Sequence, residues 1–227
     1  MNYHIGTMLI DENFDGGCEC PICRIKKRVD ERLTEQYLGE GVMEDHTRTE
    51  VNKLGFCAHH YSMLFSSRSK LGLGLQVSTR LNTVGKEISE PNNLKQAKKQ
   101  AENLLKLTKT CVVCKYLEEH MIRYYKTVAE VYYNVATFKN RLLETKTFCL
   151  EHYAKLLEYS GYAGAKQKEY AKDLYTVMNK SLTQLKEGVD EFCYHHDYRQ
   201  ASVQLSQNAK ESLKNASSIF YGEENKI

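Results

Sequence analysis

Apolar positions in this chain recur at three- and four-residue steps, and the alternation expected of strands is absent nearly everywhere. Ile25, Val29, Leu33 and Tyr37 step by four, which predicts an amphipathic helix from Cys23 that ends at Gly39 or Gly41. A short segment over 47–54 follows. Leu64, Leu71, Leu75, Leu81, Val84 and Ile88 then predict one long helix, in which Gly72 and Gly74 either allow close helix approach or mark a break. Ser89-Glu90-Pro91-Asn92-Asn93 is the clearest punctuation, and Asn92 or Asn93 can cap the next helix, which runs to Lys109. The lysines of that helix, Lys95, Lys98, Lys99, Lys106 and Lys109, read as a solvated face. Helical patterns continue over 113–135, to 145, from Cys149, over 165–187 beyond Gly161 and Gly164, and over 203–219. Residues 1–19 read as extended or irregular, and 222–227 as a frayed tail. The expected fold is all-α: two repeated helical modules sharing one core, divided as 1–90, 91–200, and a C-terminal helix and tail over 201–227.

Composition changes this picture in two ways. Apolar residues, with tyrosine left out and glycine included, make up about 40% of the 227, below the usual 45–50%, so the core is thin and needs reinforcement. The net charge of +3 is too close to neutral for a protein built around a nucleic-acid backbone. No apolar run is long enough to span a membrane, and the first residues lack the pattern of a signal peptide. The expected setting is therefore a reducing cytoplasm, where the eight cysteines serve metals or catalysis in preference to disulfides.

Those cysteines reveal an internal duplication. Cys20-Pro21-Ile22-Cys23 is followed by Phe56-Cys57-Ala58-His59-His60-Tyr61-Ser62-Met63-Leu64, with 33 residues between Cys23 and Cys57. Cys111-Val112-Val113-Cys114 is followed by Phe148-Cys149-Leu150-Glu151-His152-Tyr153-Ala154-Lys155-Leu156, with 34 residues between Cys114 and Cys149. The four matched positions are offset by 91, 91, 92 and 92 residues, and both second halves read Phe-Cys-x-x-His-Tyr-x-x-Leu.

Thiolate sulfur and imidazole nitrogen suit Zn²⁺, and three cysteines with one histidine close a tetrahedral shell. Taking the nearest halves together, the expectation is two zinc ions per chain. Cys20, Cys23, Cys57 and His60 would hold one; Cys111, Cys114, Cys149 and His152 would hold the other. Each Cys-x-x-Cys would supply a tight turn, and each Cys-x-x-His two neighbours on one helical face. Four protein ligands leave no open position, so the sites read as structural. Buried free cysteines, a [4Fe–4S] cluster with one histidine ligand, and redox disulfides are the competing readings.

Other constellations carry less. Cys193-x-x-His196 could bind metal but lacks a Phe-Cys-x-x-His partner; the alternative is a packed helix end with an Asp197–Arg199 pair. Cys18 could replace Cys20, although the repeat favours Cys20, as it favours His60 over His59. Tyr116, Tyr124, Tyr125, Tyr132 and Tyr133 fit a tyrosine-edged core better than an aromatic ligand box. Gly72-Leu73-Gly74 lacks the third glycine and the preceding strand of a dinucleotide loop. There is no nucleophile elbow, no zinc-protease histidine pair and no Glu-x-x-His.

Glu19-Cys20-Pro21-Ile22-Cys23, Val42-Met43-Glu44, Gly55-Phe56-Cys57, Cys111-x-x-Cys114, Phe148-Cys149-x-x-His152 and Asp197-Tyr198-Arg199 resemble, over nearly the whole chain, a bacterial family of unknown function. Some of its members carry a transporter substrate-binding label. The resemblance implies the same duplicated metal pattern at the same six cysteines and two histidines, and no activity. The sequence departs from the family at Cys193. The transporter label gains no support, since a secreted binding protein needs an export signal.

Together these readings favour a non-catalytic adaptor or scaffold with a protein partner, no nucleic acid and no membrane. A thiol-based redox or metal sensor is the alternative, and a small-molecule binder or enzyme using a tyrosine-lined cleft is the third.

Overall fold

A computed structural model of the chain describes residues 5–16, 20–66, 70–195 and 204–222. Among them are eleven α-helices and no strands. In order these are α1 (Ile5–Asn13), α2 (Pro21–Gln36), α3 (Asp45–Leu54), α4 (Ala58–Ser66), α5 (Lys70–Glu87), α6 (Leu94–Leu107), α7 (Val112–Asn134), α8 (Phe138–Leu143), α9 (Leu150–Glu158), α10 (Gln167–His195) and α11 (Gln207–Tyr221). Short 3₁₀ turns occupy Glu40–Met43 and Ser160–Lys166. No helix among the described residues is long and apolar enough to cross a membrane.

The all-α expectation holds, with local corrections. The irregular N-terminal stretch contains α1. The single long helix over 64–88 is instead two, α4 and α5, with 67–69 outside the described residues. Asn93, not Asn92, caps α6, accepting a hydrogen bond from the Gln96 amide at 3.0 Å. Gly222 is packed where a frayed tail was expected; 223–227 lie outside the described residues.

The chain divides into two compact units, but not as consecutive modules. One comprises residues 1–27 and 121–227; the other, residues 28–120, is inserted within it. Both α2 and α7 cross a unit boundary. The expected division into 1–90 and 91–200 therefore does not match the compact units.

In the outer unit, Phe14 is buried against Phe138 and Phe148, with ring centroids 5.0 and 6.4 Å away. Arg141 ties the same place down: Nε donates to the Phe14 carbonyl at 3.0 Å, and Nη1 to Asp11 Oδ1 at 2.7 Å. Tyr132 and Tyr170 are fully buried, and Tyr132 donates to Asp173 at 2.6 Å; of the other tyrosines expected to edge the core, Tyr125 is buried whereas Tyr133 is exposed. Helix α11 packs on α9 and α10.

In the inserted unit, Val29, Leu33 and Tyr37 of the predicted stripe are buried together with Val51, Leu64 and Leu73. Helix α5 packs on α3, and Gln76 reaches the Tyr37 carbonyl at 2.6 Å. Gly55 has φ +66, a left-handed conformation that favours glycine. Its carbonyl accepts from the Val112 amide at 3.0 Å, while the Thr110 hydroxyl donates to the Leu54 carbonyl at 2.6 Å. These bonds lash the segment before Cys57 to the segment around Cys111.

Candidate metal centres

Each of the four half-motifs is the start of a helix. Cys20, Cys57, Cys111 and Cys149 stand immediately before α2, α4, α7 and α9. Their carbonyls accept from the amides of Arg24, Tyr61, Lys115 and Tyr153, closing the first turn of each helix. The second ligand of each half, Cys23, His60, Cys114 or His152, is one turn on, so both side chains face the same point. The partial positive charge of a helix N-terminus favours thiolate there. Pro21, in the first position of α2, loses no hydrogen bond by lacking an amide proton.

The structure gathers all eight predicted residues into two clusters, and it exchanges the halves. Cys20 and Cys23 meet Cys149 and His152; Cys57 and His60 meet Cys111 and Cys114. Within each cluster the donor atoms lie within 4.8 Å of one another. The expected sets, Cys20/Cys23/Cys57/His60 and Cys111/Cys114/Cys149/His152, are thus corrected. The physical reason lies in the packing. Phe14 on Phe138 and Phe148 carries the chain entering Cys20 to the chain entering Cys149, while the Gly55–Val112 and Leu54–Thr110 bonds seat Cys57 beside Cys111.

The outer cluster is closed. Cys20, Cys23, Cys149 and His152 are all buried. His152 Nδ1 is 3.6, 3.3 and 3.1 Å from the sulfurs of Cys20, Cys23 and Cys149, and the last two sulfurs are 3.7 Å apart. That separation excludes a disulfide between them. Gly222, at the end of α11 with φ +83, lies over the cluster, and a Cβ there would come 3.4 Å from Cys23 Sγ and 3.7 Å from Cys149 Sγ. His152 Nε2 is buried without a hydrogen-bond partner among the described residues. Thiol hydrogen bonds from Cys20 and Cys23 hold Cys149 far below its ordinary pKa, whereas burial pushes Cys20 well above.

The inner cluster is open and braced. Cys114 is exposed, Cys57 half-buried, and His60 and Cys111 buried. His60 Nδ1 lies 3.1, 3.3 and 3.4 Å from the sulfurs of Cys57, Cys111 and Cys114, and Cys57 and Cys114 are 3.7 Å apart. On its other side, His60 Nε2 meets the buried carboxylate of Asp30 at 2.7 Å. This carboxylate–histidine arrangement fixes which ring nitrogen faces the sulfurs and raises its basicity as a ligand. Burial alone would lower the His60 pKa, but its bonds to Asp30 and Cys111 carry it up to about 10. Burial would raise Cys111, yet His60 and two backbone amides bring it down to about 6. Burial and the neighbouring thiols push Cys114 up.

Sequence reasoning missed Asp30 and Gly222. Asp30 left one signal, a carboxylate between Val29 and Leu33 on the apolar side of α2. His59 is exposed and touches Asp30 at 3.2 Å, outside the sulfur cluster, as the repeat indicated. Cys193 is free and exposed. Cys18, His196, Asp197 and Arg199 lie outside the described residues, so the alternatives built on them do too.

The six cysteines and two histidines could thus hold two metal ions. An uncharacterised 23.9 kDa protein from the xynA 3′ region of Caldicellulosiruptor sp. (strain Rt8B.4) is 21% identical over 192 residues, which cover 85% of this chain and 89% of that protein. No solved structure matches the chain. A family model described as a family of unknown function, DUF6062, matches residues 1–226, and the chain belongs to that family.

Proposed function

We propose that the protein binds two zinc ions that hold its fold, and that it acts as a non-catalytic adaptor. The observation carrying this reading is the spacing of the donors. A tetrahedral ion with Zn–S of about 2.3 Å and Zn–N of about 2.0–2.1 Å sets sulfur pairs roughly 3.8 Å and sulfur–nitrogen pairs roughly 3.5 Å apart. The sulfur pairs at 3.7 Å and the nitrogen–sulfur contacts of 3.1–3.6 Å lie close to that tetrahedron. An iron–sulfur cube, with each thiolate on a different iron, needs them further apart. Three thiolates and one imidazole per ion leave no open position for substrate, which favours structure over catalysis. Leu71 and Leu75, exposed on α5, give a protein partner an apolar foothold. Elemental analysis of protein purified without added metal should return two zinc equivalents per chain; one equivalent or a brown iron chromophore overturns the reading.

One observation favours a second reading, a thiol-based sensor at the inner centre: exposed Cys114 stands 3.7 Å from Cys57. Peroxide would oxidise these two thiolates to a disulfide, take up two protons and leave as two waters, releasing the ion as two of its ligands are lost. A zinc-release dye separates the readings. Prompt release at low oxidant supports sensing, and inert metal removes it.

A further inference from the structure

A cavity of about 310 Å³ opens in the inserted unit, walled by α3, α4, α5 and α6. Its lining is mostly apolar, including Val51, Phe56, Val84, Leu104 and Leu107, with Gln76 and Arg80 as its long polar side chains. These two are four residues apart on α5 and so share one face of the helix.

Both carry unmet hydrogen-bonding capacity. Gln76 is 5% exposed; its Nε2 is committed to the Tyr37 carbonyl at 2.6 Å and its Oε1 is buried with no donor among the described residues, which leaves Arg80 as the polar group a ligand can reach. Arg80 Nη1 donates to the carbonyls of Asn52 and Lys53. No acceptor meets Arg80 Nε or Nη2 among the described residues, and no carboxylate pairs with it. The neighbour on that edge is Gly55, in the cavity wall, where a Cβ would come 3.2 Å from Nε. A partly buried guanidinium without an anion is costly, and its planar edge matches a carboxylate in bidentate fashion.

We propose that this cavity binds a small apolar carboxylic acid, its carboxylate on the Nε/Nη2 edge of Arg80. The apolar body fills the space toward Val84, Leu104 and Leu107. At ~30 Å³ per water the cavity has room for about ten waters, or roughly a ten-carbon acid. Sites of this type are concave and largely apolar, with a few polar groups that fix orientation. The proposal is independent of the metal reading.

Calorimetric titration of the purified full chain with decanoate and decanol tests it. Decanol should bind about tenfold or more weakly than decanoate, because it offers Arg80 no charge. Arg80→Met should weaken decanoate by about tenfold or more while leaving decanol within about twofold. Because Arg80 also holds the end of α3, Leu104→Trp serves as a second variant. It fills the cavity with Arg80 intact and should abolish binding of both compounds with metal content unchanged. Decanol binding as tightly as decanoate, no acid binding at millimolar concentration, or full binding to Leu104→Trp overturns the proposal.

Discussion

The two centres share a ligand set and differ in everything around it. The outer one buries all four candidate ligands under Gly222 and leaves His152 Nε2 without a hydrogen-bond partner among the described residues. The inner one exposes Cys114 but braces His60 on Asp30. Burial protects an ion by excluding competitors and oxidants, whereas a carboxylate brace tightens its hold by orienting and charging the ligand. On the proposed metal reading the duplicated motifs would retain an ion by two routes, and the routes should fail differently.

The largest contrast should come from removing a ligand. Structural zinc contributes roughly 10–16 kcal/mol to small domains at neutral pH. Cys149→Ser in the outer centre should thus abolish cooperative thermal unfolding of the chain or lower its midpoint steeply. Cys114→Ser, which removes an exposed ligand, should cost clearly less. Equal losses in circular-dichroism melts would erase the distinction.

Kinetic access should separate the centres next. A thiol reagent added to the metal-loaded chain should modify Cys114 at least ~10-fold faster than Cys20, Cys23 or Cys149, since thiol reactivity follows exposure as well as pKa. Peptide mapping at successive times reads this directly. Simultaneous labelling of both centres contradicts the burial difference.

The brace offers a sharper cut. Asp30→Asn should lower metal affinity of the inner centre by about 10–100-fold, the usual cost of losing such a partner, and leave the outer centre untouched. Competition with a chelator of known affinity, reported as one tight and one weakened equivalent, tests it.

The smallest effect should follow Gly222→Ala. The methyl group would meet Cys23 Sγ at 3.4 Å in a backbone conformation that disfavours side chains, at a cost of about 1–2 kcal/mol. Faster metal loss from the outer centre alone is the expected outcome; no change would mean that Gly222 does not cover it.

The sequence disclosed the eight donors because ligand chemistry is local. Cysteine and histidine three residues apart at a helix start announce themselves whatever the fold does. Their partnership was not legible. Both Cys-x-x-Cys halves are chemically equivalent, as are both Cys-x-x-His halves, so nearness along the chain was the only guide. The deciding contacts, Phe14 on Phe148 and Val112 to Gly55, are long-range and leave no spacing signature. The stripe Ile25–Val29–Leu33–Tyr37 revealed α2 through its four-residue step, whereas α1 offers only nine residues and a weak apolar face. Asp30 and Gly222 serve the centres from outside the motifs, so no motif pointed to them.

Along the sequence the donors of one centre fall between the two halves of the other, which sets an order of assembly during synthesis. Every donor of the inner centre has been made once the ribosome passes Cys114. The outer centre must wait for His152, and its cover for Gly222 near the end of the chain. The closures also differ in span: 50 residues separate His60 from Cys111, but 125 separate Cys23 from Cys149. For flexible chains that difference costs under ~1 kcal/mol of closure entropy, and an inserted unit that has already folded shortens the effective loop further. The inner unit can thus mature on a nascent chain while Cys20 and Cys23 remain unmatched thiols, open to any metal or oxidant that reaches them before the second half arrives.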